Sequence, residues 1–137
     1  MPTWLLKSEP SEYSFDRLLA DEKTLWTGVR NFAARNHLRA MKKGDVALFF
    51  HTVDEKALVG IARVSSAPGP DPTARGEDWT AVEVRPVKKL TEPVPLARIK
   101  ATPALASLAM VKQGRLSVSP VSEPELAALL ALAKTRL

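Results

Sequence analysis

Cysteine is absent from the 137 residues of this sequence, which excludes a disulfide framework and any thiolate metal site. Histidine is almost as scarce. His37 and His51 are the only two, too few to make a zinc centre without thiolates to complete it. No apolar run approaches the ~20 residues that span a bilayer, and the longest uninterrupted one covers only 126–133. The N-terminus shows no basic segment followed by an apolar core, so no secretory signal is read there. The phosphate-binding patterns G-x-G-x-x-G and G-x-x-x-x-G-K-[ST] and the nucleophile pattern G-x-S-x-G are all missing. These absences predict a soluble protein of the cytoplasm or nucleoid with no cofactor, no metal and no membrane partner. They favour binding in a pocket over catalysis.

Acids are missing from two long stretches, and that absence is informative. Between Lys23 and Gly44 stand Lys23, Arg30, Arg35, Arg39, Lys42 and Lys43 without a single Asp or Glu. From Pro93 to Ser122 stand Arg98, Lys100, Lys112 and Arg115, again without one. The net charge of +5 is therefore segregated, and a segregated positive surface suits an anionic partner. The plainer alternative is a solvated helix face with no partner.

What is present is ordinary globular composition, 45% hydrophobic and 26% charged, enough for one domain spanning residues 1–137. Residues 3–7 read as a strand. Ser14 caps a short helix carrying Phe15, Leu18 and Leu19. A helix from about Asn31 to Met41 buries Ala34, Leu38 and Met41. Its Arg35, Arg39 and Lys42 follow one position later, roughly 100° around, as a basic flank. Lys43-Gly44-Asp45 is a turn. Residues 46–51 and 57–66 are strands, and 68–72, with three prolines, is a loop. Residues 79–90 alternate like a strand, with Pro86 demoting it to an edge or a bulge. Thr102-Pro103 opens a helix stopped by a left-handed Gly114. Residues 116–121 form a last strand, and Ser122 to Glu125 is a capping box for a C-terminal helix. Strands scattered among short helices, without a βαβ rhythm, predict an α+β fold: a small, partly open β-barrel flanked by helices.

Five phrases carry a family likeness. They are W-L-L-K-S-E-P at 4–10, W-T-G-V-R-N-F-A-A-R-N at 26–36, M-K-K-G-D at 41–45, P-D-P-T at 70–73 and Q-G-R-L-S-V at 113–118. In this order, from residue 3 to about residue 130, they resemble the EVE domain family. The resemblance implies a PUA-like β-barrel with a mixed sheet of about five to six strands, related to YTH and ASCH domains. It also implies a reader of modified bases in DNA or RNA that takes a flipped base into an aromatic-walled pocket. Carried over by motif, that pocket draws on Ser8, Trp26, Asn31, Phe49 and His51, with Arg115 and Ser117 beside it. The second aromatic wall is left open between Phe50, Trp79 and none.

The residues themselves permit that reading and a plainer one. A flipped base needs a flat apolar surface and a few polar groups to read its edge. Trp26 is either that surface or a core or lid tryptophan. Asn31 is a base-edge ligand or a helix N-cap. His51 is a pocket residue or a hydrogen-bonding strand end, and Trp4 is core. Stacking one base contributes ~1–3 kcal/mol and each edge hydrogen bond roughly 0.5–1.5 kcal/mol. The pocket alone therefore holds a base only at about millimolar affinity. Phosphate contacts from Arg30, Arg35, Arg39, Lys42 and Lys43 are expected to supply the rest. The expectation is a monomeric, non-catalytic nucleic-acid binder. The alternative is an enzyme or small-molecule binder acting on a free nucleotide with Glu9 or His51 as acid or base, or, less directly, a module for an acidic protein partner.

Overall fold

In chain order the elements are β1 (Thr3–Ser8), α1 (Phe15–Asp21), β2 (Thr24–Trp26), α2 (Phe32–Ala40), β3 (Val46–His51), β4 (Ala57–Val64), β5 (Gly69–Pro70), β6 (Thr80–Pro95), α3 (Leu96–Lys100), a 3-10 turn (Pro103–Leu105), α4 (Ala109–Lys112), β7 (Val118–Val121) and α5 (Glu123–Leu132). They are seen in a computed structural model that describes residues 2–53, 55–75 and 78–137. β1 and β3 pair in parallel, with Leu5 opposite Leu48 and Ser8 opposite His51. Every residue of β3 is buried, as are the first four of β1. Such continuous apolar runs are what a strand needs when both of its faces are covered.

The alternation of the strands sorts the core into two layers. Trp4, Leu6, Ala47 and Phe49 point to one side, where Phe15 and Leu18 of α1 and Ala34 and Leu38 of α2 meet them. Leu5, Val46, Leu48 and Phe50 point to the other, against Ile99, Leu105, Met110 and Leu129 from the C-terminal helices. The sheet runs β2-β6-β4-β3-β1-β7, with β5 on the side of β6. All its pairs except β1–β3 are antiparallel. It is a mixed half-barrel flanked by short helices, the expected α+β architecture.

Several local expectations need correction. Residues 68–72 are not all loop, because Gly69 and Pro70 pair with Ala81 and Thr80 as β5. A proline at a sheet margin still offers its carbonyl, and only its missing donor must face away from the ladder. β6 runs through Pro86 to residue 95. There the β4 register jumps from Ile61 opposite Lys88 to Ala62 opposite Pro86. Pro86 also lies beyond the 82–84 segment that β2 covers. The expected bulge is present, and at Pro86 β6 is paired on one side only, by β4. The helix expected from Thr102-Pro103 is only a 3-10 turn and the four-residue α4, and the unforeseen α3 precedes it. Gly114 is not left-handed; among the described residues the glycines with positive φ are Gly28 and Gly44. The last strand begins at Val118 rather than 116. The capping box is present in full, with Ser122 and Glu125 exchanging bonds around the start of α5.

The M-K-K-G-D phrase turns out to be scaffolding. Asp45 is buried, and its carboxylate accepts from Trp4 Nε1 at 3.0 Å and from the Lys42 amide at 2.9 Å. It thereby pins the turn after α2 to β1. Gly44 takes φ +98° in that turn, a region that favours glycine.

Gly60 on β4 lies beneath the ring of Phe15, and a Cβ there would come within 2.5 Å of two ring carbons. Gly60→Ala should therefore overpack the layer and cost about 1–3 kcal/mol. Urea unfolding should show a lower midpoint with an unchanged slope, and an unaltered midpoint would mean that the Phe15 ring has room to give way.

Candidate functional site

Where β1 ends, the chain doubles back. The amides of Glu12 and Tyr13 both donate to the Glu9 carbonyl, at 2.9 and 2.8 Å. The Ser8 hydroxyl donates to the Tyr13 carbonyl at 2.6 Å. This turn brings Tyr13 to Trp26 at the end of β2, with ring centroids 6.4 Å apart and planes at 85°. Between the two segments opens a cleft of about 360 Å³, lined by Lys7, Ser8, Glu9, Glu12, Tyr13, Thr24, Trp26, Thr27, Arg30 and Ser117 among others. Small-molecule sites run from roughly 300 to 1,000 Å³, so a single base is of suitable size.

Of the expected pocket residues, Ser8, Trp26 and Ser117 are brought together here from three separate strands or strand ends. Trp26 belongs to the core and also lines the cleft. It is only 9% exposed and packs edge-on against Phe49 at 5.4 Å in the core. What it presents to the cleft is therefore a strip of indole rather than a whole face. Tyr13 supplies the second aromatic surface. It was legible only as the aromatic three positions beyond K-S-E-P. Phe50 faces the opposite core layer, and Trp79 stacks elsewhere, against Phe32. Burial raises the Tyr13 phenol above its ordinary value, so it stays a hydrogen-bonding neutral group. Burial likewise lowers the Lys7 ammonium, whose Nζ donates to the Gly114 carbonyl at 2.8 Å.

The other four expected pocket residues do not line this cleft. Asn31 caps α2, its side-chain oxygen accepting from the Ala34 amide at 3.0 Å. Phe49 is wholly buried, as the inward residue of a strand covered on both faces must be. His51 accepts the Phe15 amide on Nε2 at 3.1 Å. That bond leaves Nδ1 to carry the proton and donate to Glu55 at 3.0 Å. The ring thus satisfies the start of α1. Arg115 is exposed on the turn before β7 and does not reach the cleft lining.

A residue not singled out in the sequence holds one wall in place. Asp71, from the P-D-P-T phrase, is buried. Its Oδ2 accepts from the Gly28 amide at 2.8 Å and from Arg30 at 3.0 Å. Its Oδ1 accepts from the amide and hydroxyl of Thr73, at 2.7 and 2.6 Å. Gly28, at φ +80°, supplies the left-handed conformation that aims its amide at this carboxylate. Burial by itself would raise the Asp71 carboxyl. The bonds from the Thr73 hydroxyl, the two amides and Arg30 outweigh it and bring the value down to about 2.

The basic stripe is less free than its acid-free sequence implied. Asp78, from the segment before β6, pairs with Arg39 at 2.7 Å. Arg39 also donates to the Thr80 hydroxyl at 2.9 Å. Arg35 reaches the Asp78 carbonyl at 3.3 Å and lies 4.8 Å from the Phe32 ring centroid. Arg30 is engaged by Asp71. Lys42 and Lys43 are exposed and make no ion pair among the described residues. Asp78 is itself largely exposed, and a pair of that kind contributes only ~0–1 kcal/mol, so a phosphate can displace it. Among the described residues no three His, Asp or Glu side chains gather to hold a metal ion, and no helix is long and apolar enough to cross a membrane.

Comparison with known proteins bears on the whole chain. A family profile described as the EVE domain matches residues 2–132. Thymocyte nuclear protein 1 of Mus musculus is 32% identical over 166 residues, which cover 96% of this chain and 74% of that protein. A solved Agrobacterium tumefaciens protein superposes with a TM-score of 0.96 at 39% identity, covering 98% of this chain and 94% of the other. Human thymocyte nuclear protein 1, solved in complex with DNA containing 5-methylcytosine, superposes with a TM-score of 0.91 at 28% identity over 100% of both chains. A YTH domain of Zygosaccharomyces rouxii shares the fold at a TM-score of 0.62 and 18% identity, covering 99% of this chain and 88% of that one.

The Asp71 network generates a prediction with a definite sign. Its folded value lies below the ordinary 3.8, at about 2, so the stability it contributes is complete above 3.8 and disappears as pH falls from there through 2. The shift corresponds to about 2 kcal/mol. Asp71→Asn should lose about that much at neutral pH and should flatten the acid limb of a urea-unfolding series. A variant with the parent's acid limb would place the acid sensitivity elsewhere.

Proposed function

The chain belongs to the EVE domain family, and on that premise we propose that it is a non-catalytic nucleic-acid-binding module that reads a modified base. The base enters the cleft flipped out of its strand, against the Trp26 strip and the Tyr13 ring. Ser8, Ser117 and Thr27, which line the cleft, read its edge in this proposal. The observation that carries the proposal is the cleft itself: about 360 Å³, lined by two aromatic side chains and by the short hydroxyl side chains of Ser8, Thr24, Thr27 and Ser117. A relative of the same fold, solved with 5-methylcytosine-containing DNA, supports the same ligand class here.

The stripe of Arg35, Arg39, Lys42 and Lys43, with Arg30 at the cleft rim, is proposed to take the phosphates. Phosphate contacts fix position and supply most of the affinity, while the pocket supplies discrimination. The proposal keeps the expected cytoplasmic or nucleoid residence, where nucleic acid is found, and a monomer. The rival reading, an enzyme acting on a free nucleotide, rests on Glu9 alone, since both ring nitrogens of His51 are engaged.

Binding to matched DNA and RNA oligonucleotides, with and without modified bases, tests this directly. The protein should prefer a modified strand. The Ser117 side chain is half-buried and makes no hydrogen bond among the described residues, so Ser117→Ala should keep the fold. It should lose ~0.5–1.5 kcal/mol, roughly two- to tenfold, on the modified strand alone. Equal losses on both strands would remove Ser117 from base reading. A reproducible product abolished by Glu9→Gln would install the enzyme reading instead.

Lys42→Ala with Lys43→Ala should weaken both strands alike. Each lost phosphate contact should reduce the slope of log affinity against log salt by ~0.7–0.9. A double variant with the parent's salt slope would make these lysines bystanders.

A further inference from the structure

Phe32 is the most exposed large apolar side chain among the described residues. It is the first residue of α2, is 57% exposed, and lies nearly parallel on Trp79, with planes at 18° and centroids 5.2 Å apart. Arg35 is 4.8 Å from the Phe32 centroid and 5.4 Å from that of Trp79. The three separations form a nearly equilateral triangle, so the guanidinium flanks the stack and does not cap the outer face of Phe32. Arg30 lies 5.7 Å from the Trp79 ring on the cleft side of this cluster, and Arg30 itself lines the cleft.

We infer that Phe32 is a second stacking site, outside the cleft, for an unpaired base that neighbours the one being read. This rests on the base-reading proposal and extends it from one nucleotide to two. An exposed aromatic by itself means little. Here the ring lies flat on an indole, with Arg35 beside it and Arg30 against the same indole. An aromatic platform inside a positive groove is what binds an unpaired strand without regard to sequence. Arg35 and Arg39 stand beside it for the phosphates that flank such a base. Arg30 lines the cleft and lies against the Trp79 ring, and Phe32 stacks on that ring, so a strand that crosses Arg30 is inferred to occupy both sites. A flipped base leaves its neighbours partly unstacked, and the platform replaces part of the stacking they lose.

Short DNA carrying one 5-methylcytosine, single-stranded and duplex, with unmodified controls, is the probe. Phe32→Ala should weaken binding roughly 5- to 100-fold on modified and unmodified strands alike, leaving their affinity ratio unchanged. Phe32→Tyr should bind as the parent does, and melting temperatures should match, since most of the ring is solvated. An abasic site at one position flanking the 5-methylcytosine should weaken the parent by the same factor and Phe32→Ala hardly at all. The inference fails if Phe32→Ala binds like the parent, if its loss adds fully to every abasic placement, or if it removes the preference for the modified strand. A parent protein that binds both strands equally refutes base reading while leaving the platform testable on either strand. A parent that binds neither strand refutes both.

Discussion

The parallel pairing of β1 with β3, covered on both faces, is the constraint on which the rest of the molecule depends. A strand buried on both sides cannot slip by one residue, because the slip would exchange Trp4 and Leu6 with Leu5 across the sheet. The register is held further by the Trp4–Asp45 bond, which ties the turn before β3 to β1 itself. With that register set, Ser8 falls where the sheet stops, and β7, antiparallel to β1, brings Ser117 alongside. The cleft is thus a consequence of where a doubly covered strand ends.

Its far wall depends on a different interaction. The segment after Trp26 has no regular hydrogen-bonding ladder and is held by one buried carboxylate. Asp71 satisfies the Gly28 amide, Arg30 and Thr73 together. A buried carboxylate with several charge-assisted bonds is rigid, and removing its partners leaves a costly unpaired charge. Trp26 is therefore seated from below by Phe49 and anchored beyond by the Asp71 cluster. That rigidity fixes the shape of the cleft, because a wall that yields by an ångström no longer excludes anything.

The positive surface is conditioned by acids supplied from far along the chain. Asp71 and Asp78 come from the segment around β5 and neutralise Arg30 and Arg39 locally. The two pairs differ in kind. Arg30 serves a buried acid and is fixed, whereas Arg39 shares a solvated one and is exchangeable. Lys42 and Lys43, beyond the end of α2, extend the same positive surface into solvent. Rigid cation near the cleft and exchangeable cations beyond it suit a ligand read at one point and merely held elsewhere.

Local chemistry was readable in the sequence wherever a motif is self-sufficient. Ser14 and Asn31 cap their helices, Ser122 and Glu125 form their box, and the apolar runs of β1 and β3 read as strands. The family likeness, carried by five ordered phrases, brought the half-barrel with it. Interactions between distant segments were not readable. The 26–30 stretch shows no acid, yet Asp71 completes it. K-S-E-P does not disclose that its turn brings Tyr13 to the cleft, and Phe49 and His51 looked available until their partners were known. Composition and spacing determine which residues are suited to cap, bury or carry charge. Which of them face one another was decided by the sheet, because a carboxylate 43 positions from the amide it binds leaves no periodic trace along the chain.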